Sequence, residues 1–222
     1  MGISGGPIGQ ALQDVVIRVD MLNSNSYSGV GNTITSTTNN ERLNLAGVAF
    51  TSVNKENALR FTGAGFVTSV NNTGVSGATS RTMTCWVKFG QKANQGAMAT
   101  GANGAGTGMA LGTSSTVFLM GYGNSGILTT VTYNANQWYH LTYVSEFVTG
   151  TTHRLKLYVN GGIAHSSVVT GINLTNAMLR LGMDQSGFGM SGLMARANFY
   201  KTALSDREIQ KSYWNYKSRF GL

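Results

Sequence analysis

A single cysteine, Cys85, rules out a disulfide within the chain, so any core must hold by packing alone. A single proline, Pro7, leaves the remaining sequence free of the residue that interrupts strand ladders. Acids are scarce: 8 Asp and Glu against 16 Lys and Arg give a net charge of +8 over 222 residues. The bases Arg18, Arg42, Arg60, Arg81, Lys88, Arg154 and Arg180 are scattered. No Lys/Arg run of the kind seen in nucleic-acid patches occurs, so specific nucleic-acid binding is not expected. A diffuse positive field favours docking on an acidic surface. No apolar run approaches the roughly 18 residues that span a bilayer, which excludes insertion by a helix. The opening MGISGGPIGQALQD lacks the basic and apolar regions of a signal peptide, so an unprocessed product made in the cytoplasm is expected. Gly6 stands where N-myristoylation requires Ser or Thr.

The shortage of carboxylates also limits chemistry. Hydrolysis of a glycosidic bond needs two of them flanking the bond. The available set is Asp14, Asp20, Glu41, Glu56, Glu146, Asp184, Asp206 and Glu208, and no strand presents two on one face at i, i+2. Glu208 follows Ser205 by three residues and reads as the partner in a helix capping box, a structural role. His140, His153 and His165 lack close metal-ligand spacing. His140 lies inside a strand pattern and is expected to be a core or cross-strand histidine. Cys85 alternates within TMTCWVKF and reads as a small buried residue, not a nucleophile. The stretch GANGAGTGMALG (101–112) lacks the Gly-Lys-Ser/Thr ending and the following helix of a phosphate loop, and is expected to be a flexible inter-strand loop. No catalytic, cofactor-binding or metal-binding residue is expected, and the chain reads as a non-enzyme.

What the chain does contain is 30 glycines, abundant Thr and Ser, and 9% aromatics, a composition suited to many short strands and tight turns. Apolar or alternating runs fall at 15–21, 43–53, 58–70 (broken by Gly63 and Gly65), 83–89, 117–123, 127–133, 140–148, 154–160, 178–183 and 193–201. Residues 23–40 read as a polar loop and 94–113 as a Gly/Ala-rich stretch. Asn160-Gly161 supplies the positive φ angles of a tight hairpin turn. At the end, Ser205 reads as a helix N-cap, Leu204 and Ile209 as a hydrophobic staple, and Ile209, Tyr213 and Tyr216 as one helical face. The pattern predicts an all-β fold: a two-sheet antiparallel jelly-roll sandwich over 14–222 with a short C-terminal α-helix. Residues 1–13 read as an N-terminal arm, with Ile3, Pro7, Ile8 and Leu12 as candidate assembly contacts. Tyr27, Tyr122, Trp138 and Phe188 flank loops and are candidates for stacking on sugar rings. Core or sheet-edge packing is the first expectation for Trp86, Trp138 and Trp214.

TMTCWVKF, NQWYHLTYV, LYVNGG and GLMARANFYKTALSDREI, in that order, resemble the successive elements of the concanavalin A-like, laminin-G-like jelly roll. VDMLNSNSYSGVGNTI is similar to the opening of the versions carried by tailed bacteriophages. The resemblance implies a virion protein: a capsid decoration (cement) or other outer-virion structural protein. It would bind other virion proteins, assemble as a homo-oligomer and reside in the virion. The alternative implied is a carbohydrate-binding adhesin of a tail fibre or spike that recognises host surface glycans. The family's usual calcium acids are replaced, with Ala195 and Arg196 in the final strand and Thr62 and Gly65 in FTGAGFV. No calcium or other cofactor is therefore expected.

Overall fold

The computed structural model describes residues 14–52 and 57–222. The expected arm, with Ile3, Pro7, Ile8 and Leu12, lies outside the described residues. Sixteen strands are described: β1 (Val15–Asp20), β2 (Thr33–Thr35), β3 (Arg42–Ala46), β4 (Ala49–Thr51), β5 (Ala58–Thr62), β6 (Phe66–Ser69), β7 (Arg81–Phe89), β8 (Gln95–Gly101), β9 (Gly108–Ser114), β10 (Val117–Gly121), β11 (Gly126–Thr132), β12 (Trp138–Thr149), β13 (Thr152–Val159), β14 (Gly162–Val169), β15 (Arg180–Leu181) and β16 (Ser191–Tyr200). They form two antiparallel sheets. The first runs β14-β13-β12-β7-β16-β5-β4, with β1 also on β16; the second runs β11-β10-β9-β8-β15-β6-β3-β2. This is the predicted all-β jelly-roll sandwich. A helix, α1 (Asp206–Tyr216), and a single 3-10 turn (Lys217–Phe220) close the chain.

The alternation in the sequence fills the space between the sheets. Met83, Cys85, Val87 and Phe89 of β7 meet Leu141, Leu157 and Phe199 from their own sheet and Leu43, Met98, Leu111 and Phe118 from the other. The run 43–53 is not one strand. The chain crosses from the second sheet to the first at Gly47, and back again between β5 and β6 near Gly65. A Cβ on Gly65 would sit 2.2 Å from the Gly47 carbonyl oxygen, so the two corners touch through bare backbone. The Asn160-Gly161 turn is as expected, with φ of 51° and 78°.

The stretch 94–113 departs from its expected role. It builds β8 and β9, both largely buried, joined by a tight turn in which Ala102 N–H donates to the Thr107 carbonyl. Its low hydrophobicity hid two central strands. Glycines occur there because the strands are crowded: a Cβ on Gly112 would lie 2.0 Å from the Gln95 carbonyl oxygen, beside the bulge in the β8–β9 register.

The outer face of the first sheet is covered by the chain end. Ser205 Oγ accepts from the Glu208 amide and a Glu208 carboxylate oxygen accepts from the Ser205 amide at 2.8 Å, the predicted capping box. Leu204 and Ile209 join Val144, Tyr158 and Tyr200 in one small cluster. Trp86 and Trp138 join Ala58 and Ala195 in another, against Tyr213, Tyr216 and Phe220. β7 is therefore buried on both faces. Trp214 corrects its expectation of packing: it is 61% exposed, with the Lys217 ammonium 3.8 Å over its ring.

Candidate functional site

On the outer side of the second sheet the segment 182–190 lies against β8 and β9 and covers part of them. Local chemistry shapes that segment. Gly182 N–H donates to Ala97 O at 2.7 Å and Gly96 N–H to Phe188 O at 3.0 Å, which ties both ends to β8. Asp184 Oδ1 accepts from the Ser186 and Phe188 amides at 2.9 Å each, an Asx-type turn that fixes the loop from within. Gln185 Nε2 donates to the carbonyls of Thr100 (2.6 Å) and Met109 (2.8 Å), and Ser186 Oγ to Asn103 Oδ1. The loop can sit this close because Gly96 has no side chain: a Cβ there would lie 2.2 Å from the Asp184 nitrogen.

Between the loop and the strands lies a groove of about 170 Å³. Its rim carries Asn94, Ser114, Asn124, Ser125 and Gln185, and Phe188 stands beside it, 48% exposed. An open aromatic face surrounded by amides and hydroxyls is the chemistry that stacks on a sugar ring and hydrogen-bonds its hydroxyls. Asp184 is the one carboxylate among the described lining residues. A larger hollow of about 440 Å³ on the first sheet is lined by Arg60, Thr62, Lys88, Asn136 and Ser191, with no exposed aromatic among its described lining residues.

Of the four aromatics singled out in the sequence, only Phe188 reaches the groove. Tyr27 is corrected: it is 7% exposed, its hydroxyl donates to Gly31 O, and its ring meets Phe50 edge-on at 5.3 Å. Trp138 is also corrected as a sugar contact, being 5% exposed and packed against Phe220. Tyr122 is half-buried against the main core, and its backbone amide closes a turn onto Ser125 O. The sequence reading missed Asn94, Asn124, Asp184 and Gln185. The signal for two of them was DQSGFG (184–189), where Asp followed by Ser and Gly marks an Asx turn ahead of an unpatterned Phe.

The remaining reactive side chains are spent on structure. Cys85 is buried, and burial pushes its thiol well above the usual range. His140 Nε2 lies 2.9 Å from Thr84 Oγ1; burial, with the nearby Arg196 cation, lowers its pKa to about 3. His153 Nδ1 lies 2.8 Å from Ser145 Oγ, and burial chiefly, with Arg81, lowers its pKa to about 4. Among the described residues no three His, Cys, Asp or Glu converge as a metal site. In the final strand Ala195 is buried, and the Arg196 guanidinium stacks 3.8 Å over Tyr216 and faces Asp20. Arg219 completes that lock, its Nη1 2.8 Å from Asp20 Oδ1.

Two packed antiparallel sheets, with a groove beside Phe188 on the second, define a jelly-roll β-sandwich. The family model of the concanavalin A-like lectin/glucanases superfamily matches residues 61–210, and the chain belongs to that family. No curated protein matches the sequence. Among solved structures, domain 4 of AbnA, an extracellular GH43 arabinanase from Geobacillus stearothermophilus solved with arabinotriose, superposes with a TM-score of 0.67 at 17% identity, covering 89% of this chain and 97% of that one. A botulinum neurotoxin type C structure, whose cell entry is described as dependent on two ganglioside molecules, superposes with a TM-score of 0.67 at 12% identity, covering 94% of this chain and 52% of that chain. The binding domain of Paraclostridial Mosquitocidal Protein 1 gives 0.63 at 17% identity, with 93% and 53% covered. The chain thus spans about half the length of these toxin structures, and at such identities the likeness is one of fold.

Proposed function

We propose that this protein is a non-enzymatic carbohydrate-binding module that holds a glycan in the groove beside Phe188. The half-exposed Phe188 ring, on a loop fixed by Asp184 and surrounded by amide and hydroxyl groups, carries the reading. The groove offers one carboxylate, already accepting two backbone amides, where hydrolysis needs a pair. The match to a sugar-bound arabinanase domain supports the same reading at the level of fold.

Titration calorimetry against a panel of neutral and acidic oligosaccharides tests it. The Phe188→Ala variant is expected to lose about tenfold or more in affinity with only a small drop in melting temperature, because Phe188 is already about half exposed to solvent. EDTA is expected to leave binding unchanged. Undiminished binding by Phe188→Ala would place the site elsewhere.

A second reading places the module on the outside of a bacteriophage particle, as a glycan-recognising adhesin of a tail fibre or spike or as a capsid decoration protein. The similarity of VDMLNSNSYSGVGNTI to phage-borne versions favours it. Ile163 and Val168 on the edge strand β14, and Phe147 and Val148 at the end of β12, are exposed apolar residues suited to contacts with other virion proteins or a second copy. Peptides of this chain in purified particles are the expected finding; their absence would reject this reading.

A further inference from the structure

We infer that the groove selects uncharged sugars and discriminates against sialylated, uronic or sulfated ones, despite the chain's net charge of +8. This rests on the reading of the groove as a glycan site. The inference follows from where the charges stand. No Lys or Arg occurs among the groove's described lining residues, and its one ionisable side chain is Asp184. Arg180 lines a separate pocket of about 60 Å³ that shares only Gln185 with the groove. Arg60 and Lys88 line the hollow on the opposite sheet. A carboxylate or sulfate entering the groove therefore meets no described cation and faces the Asp184 carboxylate, whose attachment to the loop prevents it from swinging away.

The other lining groups suit neutral hydroxyls. Asn94, Asn124 and Gln185 offer amides, Ser125 offers a hydroxyl that donates or accepts as the ligand requires, and the Ser114 hydroxyl, donating to Asn94 Oδ1 at 3.3 Å, is left to accept. Part of that capacity is already committed. Asn94 Oδ1 accepts from the Ser115 amide at 2.9 Å, and the Gln185 amide nitrogen donates to two carbonyls. The Asn94 nitrogen and the Gln185 oxygen are what these bonds leave for a ligand. The small volume of about 170 Å³ holds little more than one ring, well below the usual drug-sized pocket. Recognition is thus of a single residue and its immediate neighbours, with weak single-site affinity that repeated display on one scaffold would strengthen.

The test is a binding comparison on immobilised arabinotriose, cellotriose and chitotriose against trigalacturonate and sialyllactose, using the full chain and two variants. The wild type is expected to favour its best neutral probe over every acidic one by about tenfold or more. Asp184→Asn keeps the Oδ1 acceptor that fixes the loop and removes the charge, so it is expected to bind the same neutral probe and to narrow that preference to about threefold or less. Binding of an acidic probe as tightly as a neutral one, abolished by Phe188→Ala, would overturn the selectivity while leaving the groove as the glycan site. Unchanged selectivity in Asp184→Asn would overturn the role of that carboxylate. Binding to no probe, or binding insensitive to Phe188→Ala, would overturn the groove itself.

Discussion

Trp86→Ala is expected to destabilise the protein by about 3–5 kcal/mol, among the largest losses a single side chain here can produce. Trp86 is 1% exposed and is the hub of the layer outside the first sheet. Its ring stacks on Phe220 at 4.2 Å and on Tyr213 at 5.9 Å, and lies 5.0 Å from His140. Removing it opens a cavity beneath α1 and separates the two aromatics that fasten the chain end. Ile209 is the helix's one fully buried residue, and its other ties are polar: the Tyr158 hydroxyl donating to Asp206 and Arg196 over Tyr216. The loss should fall unevenly: amides of 206–216 should exchange faster than those of β7 and β12. Urea unfolding with hydrogen exchange measures both effects. Trp86→Phe should recover about half of the loss by restoring a ring in the stack. A cost below about 1 kcal/mol, with helix protection intact, would show that the Asp20–Arg219 pair and the Arg196–Tyr216 stack hold the end unaided.

The same outer layer shows what the sequence made legible and what it did not. Its helix was readable because capping is local chemistry: Ser205, Glu208, Leu204 and Ile209 interact within one turn. The inner core was readable because alternation in β7 and β13 has a period of two residues. Packing was the first expectation for Trp86, and it is buried; that Thr84 is buried with it on the opposite side of β7 was not legible, because that face is covered by a helix more than a hundred residues later. β8 and β9 were missed for a different reason. Crowded backbones there select Gly, Ala and Thr, the composition that elsewhere marks a loop. The groove was legible only at Phe188. Its polar rim comes from four separated stretches, near 94, 114, 124 and 184, and no spacing within one of them announces the others. Tyr27 and Trp138 look like loop aromatics in the sequence, yet Phe50 and Phe220 cover them in the fold.

Acid is expected to unfold this protein progressively below about pH 6.5, through histidines rather than through the sparse carboxylates. His140 and His153 are both fully buried and neutral, with folded-state values of about 3 and about 4 against 6.5 for a free side chain. Burial is the chief cause in each case, and a cation adds to it: Arg196 beside His140, Arg81 beside His153. Between the free and the folded values the unfolded chain binds a proton at each site that the fold does not. Stability therefore rises with pH in this window, is fully present above about 6.5, and falls as the pH drops toward 4 and then 3. At pH 4.5 the two sites together should have removed about 2–5 kcal/mol, a large share of the roughly 5–15 kcal/mol typical of a domain. His140 Nδ1 is buried without a hydrogen-bond partner, so a proton there would be unmet; at His153 the backbone groups of Ala78 and Ser145 favour the charged ring, but burial outweighs them. Urea midpoints from pH 7.5 to 4.5 measure the slope. His140→Gln and His153→Asn, which place an amide near the bonded nitrogen of each ring, should each flatten it by about half. Variants that keep the full slope would assign the acid sensitivity to other groups.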